Sequence, residues 1–281
     1  MAYETKSVMK SLTRFLGSLV FSKSEEPWEP KPRFSLASFL KRVIVTGAIT
    51  IGIFWFLYAQ ASESYFFHWK ILWEYRNPFW QGFIVTIKVS SVTLVLAIIF
   101  GVLIGMARIS RFTLLSDLAF TYVEVLRNIP LLVIIMLVYY GIGAIVPMHR
   151  FLAAVLALTL FEASFIAEIV RAGIQSIDKG QTWAGRSLGF SSTQTMKYII
   201  LPQAIRRIIP ALAGQFVTVI KDSSLVSVIS LVDITLTGKQ VMTTTMAALE
   251  SITFIALFYF VLCVVLSFFT KYLEMRLRVS D

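Results

Sequence analysis

The chain has 281 residues, of which 57% are hydrophobic and only 15% are charged, and its mean hydropathy is +0.77. These values exclude an average soluble domain and predict a protein that crosses a membrane several times. The net charge of +10 does not indicate nucleic-acid binding, because the basic residues gather at the ends of apolar segments. The single cysteine, Cys263, excludes an intrachain disulfide and a metal site built from several thiolates.

The predicted elements begin with a polar leader, residues 1–42, which lacks a long apolar run. Six apolar stretches follow, each near the roughly 17 to 25 residues that a membrane-spanning helix requires. They are 43–59, 83–106, 129–146, 151–169, 208–236 and 252–272. The sequence therefore predicts an all-α polytopic membrane protein with six spans.

The distribution of Lys and Arg predicts how these spans are oriented. The segments outside the spans form two sets that alternate along the chain. One set holds 20 of the 26 basic residues and comprises 1–42, 107–128, 171–207 and 271–281. The opposite set holds 4, and the remaining 2 lie within spans. Because cytoplasmic loops carry the excess of positive charge, we expect both termini and the segment 174–203 to be cytoplasmic.

Two pairs of opposite charges lie at the cytoplasmic ends of spans. Glu124 and Arg127 precede the third apolar stretch, and Glu168 and Arg171 repeat their spacing where the fourth span ends. Residues three apart share a helix face, so each pair can neutralise itself. We predict a structural or gating role for Glu124 and Arg127, rather than substrate contact. For Glu168 and Arg171 we predict a role in transmitting motion.

Ionisable residues inside spans are candidates for a substrate path, because a charge at membrane depth is costly unless it faces a cavity or a partner. Glu162 lies about midway along the fourth span, with Ser164 nearby. Its carboxylate suits a cationic group of a bound molecule, such as an ammonium group or a basic side chain. The alternatives are pairing with a neighbouring Lys and protonation inside the bundle.

The segment between the fourth and fifth spans is polar and basic. Small residues at 184, 185 and 189 would let a short helix come close to another surface, and Pro202 would end or redirect the chain. The segment therefore predicts a docking element. Its candidate residues are Gln181, Trp183, Ala184, Gly185, Arg186, Leu188 and Gly189.

A polar run interrupts the fifth apolar stretch, which is longer than one crossing needs. The run is Lys221, Asp222, Ser223 and Ser224. Transporters place broken helices where the freed backbone groups line a cavity, so we expect this break at the translocation path or its external gate. A turn at the outer surface, with Lys221 and Asp222 paired, is the alternative.

Nothing in the sequence indicates catalysis. The chain lacks the phosphate-binding pattern G-x-x-x-x-G-K-[ST], and its two histidines, His68 and His149, lie in separate loops. A His-bearing catalytic triad and a His metal pair are therefore excluded. We predict no enzyme activity, no metal site and no cofactor bound by this chain, so uphill transport would draw its energy from a partner.

Five ordered runs, 123–132, 167–174, 180–189, 201–206 and 221–225, resemble those of one family. Together they look like the polar amino acid branch, the histidine, glutamine, arginine and opine group, of binding-protein-dependent ABC importer permeases. The docking element is similar to the cytoplasmic EAA motif of these permeases. The residues in register are Ala184, Gly189, Ile199, Leu201 and Pro202. Trp183 stands where the family usually has Glu, and Gly185 where it usually has Ala.

The resemblance covers nearly all of 78–278 and implies a type I ABC importer transmembrane fold. That fold has a five-helix core with a cytoplasmic coupling loop, 174–203, so the 43–59 helix would be an extra span in front of it. The resemblance also implies a second permease subunit, the same or different, and an external solute-binding protein. Two cytoplasmic ATPase subunits would bind ATP and Mg, and the bacterial inner membrane would hold the assembly.

These expectations predict the permease subunit of an ATP-driven amino acid importer that works by alternating access. One rival is an ion-coupled secondary transporter that uses Glu162 or Asp222 as its carrier group and needs no nucleotide. Another is a membrane scaffold or sensor that recruits an ATPase without a pathway of its own and tolerates substitution of Glu162 and of the break at 221–224. The sequence does not identify the amino acid.

Overall fold

The computed structural model describes residues 36–61 and 67–277, which form helices and no strands. Contacts divide the chain into two units, Met1–Phe66 and Phe67–Asp281. The described part of the first unit is helix α1, Leu36–Ala61. This helix contains the predicted first span, 43–59, whose crossing of the membrane stays a prediction. Most of the predicted leader lies outside the described residues.

The second unit is built from helices of very different lengths. In its described part they are α2 (Lys70–Glu74), α3 (Arg76–Arg108), α4 (Thr113–Asn128), α5 (Leu131–Met136), α6 (Arg150–Gln175), α7 (Lys179–Ser187), α8 (Ser192–Thr195), α9 (Leu201–Asp222), α10 (Ile234–Thr245) and α11 (Ala248–Leu277). A π-helical segment, Leu137–Ile142, and a last turn, Gly143–Ile145, extend α5. A second π-helical segment, Met196–Ile200, joins α8 to α9, and a 3-10 helix, Ser223–Ile229, continues α9.

Four helical segments among the described residues are long and apolar enough to span a membrane. They are α3, α6, the continuous run Ser192–Ile229 and α11 over Ala248–Tyr272. Helices α4 and α5, taken with its extension to Ile145, pass the same test as a pair bent by 105°. Length and composition therefore give four spans, or five if the bent pair is one, in agreement with the predicted five-helix core.

The bend between α4 and α5 follows from Pro130. A residue before proline is pushed out of the α region, and Ile129 accordingly has φ −100° and ψ 132°. Helix α5 starts directly after Pro130. The predicted third span, 129–146, therefore matches only α5 and its extension. Helix α4 was not predicted as part of a span, because its polar residues interrupt the apolar sequence.

Helices α3 and α6 pack closely along their lengths and run in the same direction. A Cβ atom on Gly101 would lie 2.6 Å from Ile166 Cβ, and one on Gly105 would lie 2.8 Å from Val170 Cβ. Small residues permit such close approach of helices in a membrane. The contact places α6, which carries Glu162 and Glu168, in the centre of the unit.

The fifth span begins and ends earlier than its predicted bounds, 208–236. It starts at Ser192, where Ser191 and Gln194 form a capping box. The helical run ends at Ser230, whose φ of 58° is left-handed. Asp233 then caps α10, because its Oδ1 accepts the Leu236 N–H at 2.8 Å. The predicted bounds differ because they follow the apolar residues. The first turns of this span are polar and were left out, whereas the apolar residues on both sides of the reversal at Ser230 were included.

Candidate functional site

Helix α7 contains the predicted docking element. Asp178 caps its first turn, since Asp178 Oδ1 accepts the Gly180 N–H at 2.7 Å. The expected short helix is therefore present. The expectation that Pro202 ends or redirects the chain is wrong, because the run Ser192–Ile229 continues through it. Pro202 lies in the first turn of α9, where the missing N–H is tolerated.

The two glycines of the docking element have structural tasks. Gly185 is buried, and a Cβ there would lie 2.8 Å from both Ile199 Cδ1 and Thr195 Cγ2. The expectation that Gly185 faces a partner is therefore corrected. Gly189 has φ +84°, and the bonds Phe190 N–H to Gly185 O (3.1 Å) and Gly189 N–H to Arg186 O (2.9 Å) complete a Schellman cap.

The outward surface of α7 is apolar at its centre. Trp183 is 66% exposed and Leu188 is 74% exposed, and Ala184 between them is exposed as well. We call Trp183, Ala184 and Leu188 the α7 face. Arg186 and Gln181 are also exposed on this helix. Apolar side chains clustered on a polar helix are typical of an interaction surface, so the docking role stays a prediction with Gly185 removed from the face.

Polar contacts tie the segments around α7 to the long helices. Gln203 Nε2 donates to Gln181 Oε1 at 3.2 Å, and Arg207 Nη1 donates to the Ser176 carbonyl oxygen at 2.8 Å. On the other side, Arg111 Nη2 donates to Ser192 Oγ at 2.9 Å. A displacement of α7 would therefore be passed to α9 through direct contacts.

Glu168 binds arginines from three helices. Arg171 donates to Glu168 Oε1 from Nη2 at 2.5 Å and to Oε2 from Nε at 3.1 Å. Arg108 of α3 also pairs with Oε2, and Arg127 Nη1 of α4 lies 3.9 Å from it. The predicted Glu168–Arg171 pair is confirmed. The predicted Glu124–Arg127 pair is wrong: in the ranges that the structure covers, Arg127 pairs with Glu168 and Glu124 forms no ion pair.

Glu162 is completely buried. Its Oε2 accepts a hydrogen bond from Gln215 Nε2 of α9 at 2.6 Å, whereas Oε1 has no hydrogen-bond partner among the described residues. The Asp222 carboxyl interacts with that of Glu162. Two neighbouring carboxyls in a region of low dielectric constant require a bound cation or a proton on one of them, so the predicted alternative of protonation inside the bundle stays open. No neighbouring Lys pairs with Glu162 in the described part of the chain.

The predicted break at 221–224 is a change of helix type rather than an interruption. The chain is α-helical to Asp222 and continues as a 3-10 helix from Ser223, so the real reversal comes later, at Ser230. Lys221 is exposed, and the alternative pairing of Lys221 with Asp222 is not formed within the residues described.

The serine hydroxyls near this site differ in how they are used. Ser223 Oγ donates to the Ile220 carbonyl oxygen at 2.7 Å, and Ser164 Oγ donates to the Phe161 carbonyl oxygen at 2.6 Å. Ser224 is half-buried. The structure thus brings Glu162 and Asp222 together, while Ser164 and Ser223 bond to their own helices. Within 36–61 and 67–277, no cluster of three or more His, Cys, Asp or Glu side chains could hold a metal ion.

A family described as binding-protein-dependent transport system inner membrane component matches residues 97–279. The chain belongs to this family. It is similar to the probable glutamine ABC transporter permease protein GlnM of Bacillus subtilis (strain 168), with 41% identity over 212 residues that cover 75% of this chain and 98% of the relative. The arginine transport system permease protein ArtQ of the same strain is 36% identical over 203 residues, 72% of this chain and 93% of that relative.

A solved structure, the crystal structure of an amino acid ABC transporter with histidines, matches with a TM-score of 0.73 and 34% identity. The match covers 75% of this chain and 100% of that chain. The permease therefore has the type I ABC importer transmembrane fold that the sequence predicts. It is a transmembrane permease subunit of an ABC importer.

Two residues of the permease escaped the sequence analysis. Gln215 is an amide within an apolar stretch, and an amide at membrane depth is itself a signal for a partner on another helix. Arg108 ends α3 with a side chain that is only 8% exposed, and the sequence analysis used it only to predict the orientation of the span. The roles of both residues depend on contacts with another helix.

Proposed function

We propose that this permease imports amino acids and that cytoplasmic ATPase subunits drive it by docking on the α7 face. The observation that carries the proposal is the link between α7 and α9. Gln203 of α9 contacts α7, and the same helix holds Gln215 and Asp222 beside the buried Glu162. One helix therefore joins the exposed docking surface to the buried polar site.

The substrate proposal starts from charge. Every α-amino acid carries an ammonium group, and Glu162 with Asp222 offers two neighbouring carboxyls, of which the Glu162 carboxyl is fully buried and has an unused oxygen. The names of the relatives, a glutamine and an arginine permease, support amino acids as the class. The proposed path comprises Glu162, Ser164, Lys221, Asp222, Ser223 and Ser224, with Gln215 added by the structure.

The energy proposal assigns the nucleotide to partners. ATP and Mg would bind to two ATPase subunits, whose closure would draw the α7 helices of two permease subunits together and open the path to an external solute-binding protein. Hydrolysis would reverse the change. The permease then needs only two states whose balance α7 can bias. The ion pairs of Glu168 with arginines of α3, α4 and α6 support a role for Glu168 in transmitting the change. The assembly would lie in the bacterial inner membrane, with both termini cytoplasmic.

The coupling step is tested with Ala184→Glu, which adds a charge to the centre of the α7 face. Thr113→Glu is the matched control, since it adds the same charge at an exposed first residue of α4. Vesicle uptake with ATP and copurification of the ATPase are measured for both. Loss of a central contact at an interface lowers association by about 30-fold or more, so we expect Ala184→Glu to lose both readouts and Thr113→Glu to keep them.

An ion-driven carrier makes a different prediction for the same experiment. It would retain uptake without nucleotide, and Ala184→Glu would leave that uptake unchanged. Either result would refute ATP coupling through α7.

The path is tested with Glu162→Gln, which removes the charge and keeps the size of the side chain. Glu74→Gln is the control, because Glu74 is an exposed partner of Lys70 outside the site. A hydrogen bond to a charged group contributes enough free energy to change binding by about tenfold or more. We therefore expect Glu162→Gln to lower uptake by at least this factor and to leave ATPase copurification unchanged. A scaffold that only recruits an ATPase would show equal behaviour of both variants.

A further inference from the structure

A groove of about 560 Å³ opens between α2, the start of α3, α10 and α11. It lies at the end of the bundle opposite α7, because α3 and α6 run in the same direction and α7 follows the last turn of α6. Seven of its ten lining residues are aromatic, two are aliphatic, and the remaining one is Arg76. The groove is therefore apolar throughout except for one cation.

Ring contacts between α3 and α11 form the wall of this groove. The rings of Phe79 and Phe254 have centroids 4.5 Å apart, and those of Phe83 and Phe258 are 5.2 Å apart in an edge-on arrangement. These contacts hold the two helices of the wall together. Trp80 on the rim is 61% exposed, so an apolar surface stays open to whatever surrounds the helices.

Arg76 is oriented but not neutralised. Its Nη1 donates to the Trp73 carbonyl oxygen at 3.0 Å, and its guanidinium carbon lies 4.9 Å from the centre of the Trp73 ring. Nearby Lys70 and Glu74 pair with each other at 3.6 Å. Among the described residues no carboxylate pairs with Arg76, which leaves most of its five N–H donors free for an anion.

The position of the groove limits the source of that anion. Tryptophan and arginine at the end of a membrane-spanning helix lie at the level of the lipid headgroups. An apolar groove with an oriented arginine at this depth matches an amphiphile that has an anionic head and a hydrocarbon tail. A guanidinium binds phosphate with two parallel hydrogen bonds.

We propose that this groove binds one phospholipid, with its phosphate on Arg76 and an acyl chain along the aromatic wall. The bound lipid would pack α2 against α3 and α11. The proposal rests on the membrane location of the permease and is independent of its substrate and its ATPase.

The test uses the purified transporter complex in detergent, titrated with dioleoyl phosphatidylglycerol, and native mass spectrometry to count bound lipids. Dioleoylglycerol, which has the same acyl chains and no phosphate, is the matched ligand. We expect one phosphatidylglycerol per permease chain and weak binding of dioleoylglycerol. Arg76→Gln is expected to weaken phosphatidylglycerol binding about tenfold or more, since it removes a charge-assisted contact.

Two further variants separate this site from general adsorption. Arg150→Gln removes an exposed arginine at the start of α6, outside the groove, and should leave lipid binding unchanged. Leu72→Trp fills the groove while Arg76 is kept, and should abolish binding with the thermal unfolding temperature retained. Three results would each overturn the proposal. They are equal binding by wild type and Arg76→Gln, equal binding of the two lipids, and no lipid on the wild-type complex because protein covers the groove.

Discussion

Helices α6 and α11 are both long and apolar enough to span a membrane, yet they lie in opposite surroundings. The most apolar stretch of α6 has a mean hydropathy of 1.9 and is 67% buried, whereas that of α11 has a mean hydropathy of 2.7 and is 6% buried. Lipid tails are as apolar as leucine, so hydrophobicity alone does not drive helices together in a bilayer. Accordingly, α6, the less hydrophobic of the two helices, is the one that lies in the centre of the unit.

The contacts of the two helices explain the difference. Helix α6 meets the glycines of α3 with Ala163 and Ile166, and it carries the buried Glu162. Helix α11 is held by aromatic contacts to α3 and by the hydroxyls of Thr235 and Tyr259, which are 3.0 Å apart. Small side chains and polar partners, rather than apolar area, decide which helix is central.

The largest test of this comparison is Gly101→Ala combined with Gly105→Ala. Each new Cβ would lie under 3 Å from α6 atoms, and overpacking costs about 1–3 kcal/mol per site. The free energy of unfolding should therefore fall by about 2–6 kcal/mol, measured as a lower thermal unfolding temperature in detergent. The matched pair Val261→Ala and Val265→Ala on α11, at 58% and 60% exposure, should change it by less than about 1 kcal/mol. Equal losses would contradict the comparison.

Asp233, which interacts with Tyr259 of α11 and lies outside the spans, gives a pH-dependent test. Burial raises the pKa of its carboxyl from 3.8 to about 6, against the smaller lowering effect of its hydrogen bond from the Leu236 N–H. The folded state therefore binds more protons than the unfolded state between pH 4 and pH 6. Stability is highest below this window and falls as pH rises through it, by about 3 kcal/mol at most.

Asp233→Asn keeps a capping oxygen and removes the titration. Its unfolding temperature should match that of wild type near pH 4 and exceed it near pH 7. Paired unfolding curves across this range measure the effect. A wild type that gains stability on going from pH 4 to pH 7 relative to the variant would show that the carboxylate is favoured in the fold.

Glu168→Gln tests the polar side of α6. It leaves Arg108, with its side chain only 8% exposed, without a charged partner. We expect a loss of about 2 kcal/mol in the free energy of unfolding. Arg127→Gln should cost less than about 1 kcal/mol, because that arginine is 3.9 Å away and 36% exposed. Equal losses for the two variants would mean that Arg127 of α4, and not Arg108 of α3, is the main partner of Glu168.

Tyr259→Phe, on α11, should have the smallest effect. It removes the hydroxyl that contacts Thr235, and a single hydrogen bond contributes about 1 kcal/mol. Tyr140→Phe is the control, since Tyr140 is 55% exposed and should show no change. A loss as large as that of the double glycine variant would mean that α11 is anchored by polar contacts rather than by rings.

The sequence predicted local features well where a single helix contains the whole signal. The Glu168–Arg171 pair is an example, because residues three apart on one helix share a face and can meet within that helix. The same spacing failed for Glu124 and Arg127, because Arg127 lies next to Glu168 of another helix. The reversal near Ser230 was missed, since apolar residues continue on both sides of it and only its left-handed backbone marks it. Gly185 was assigned to the docking surface because the sequence alone does not distinguish a glycine that faces a partner from one that packs inside the protein.

By itself, the sequence determined the all-α class, the approximate spans, the position of α7 and the family, since these depend on composition, periodicity and ordered motifs. Only the tertiary structure decided that Arg127 turns to Glu168, that Gln215 reaches Glu162 and that Gly185 faces Thr195 and Ile199. Such partners depend on how far each helix is rotated and shifted against its neighbours. The residue pattern of one helix predicts which of its faces is apolar and which is polar. It does not predict how two helices are aligned along and around their axes when those faces pack together.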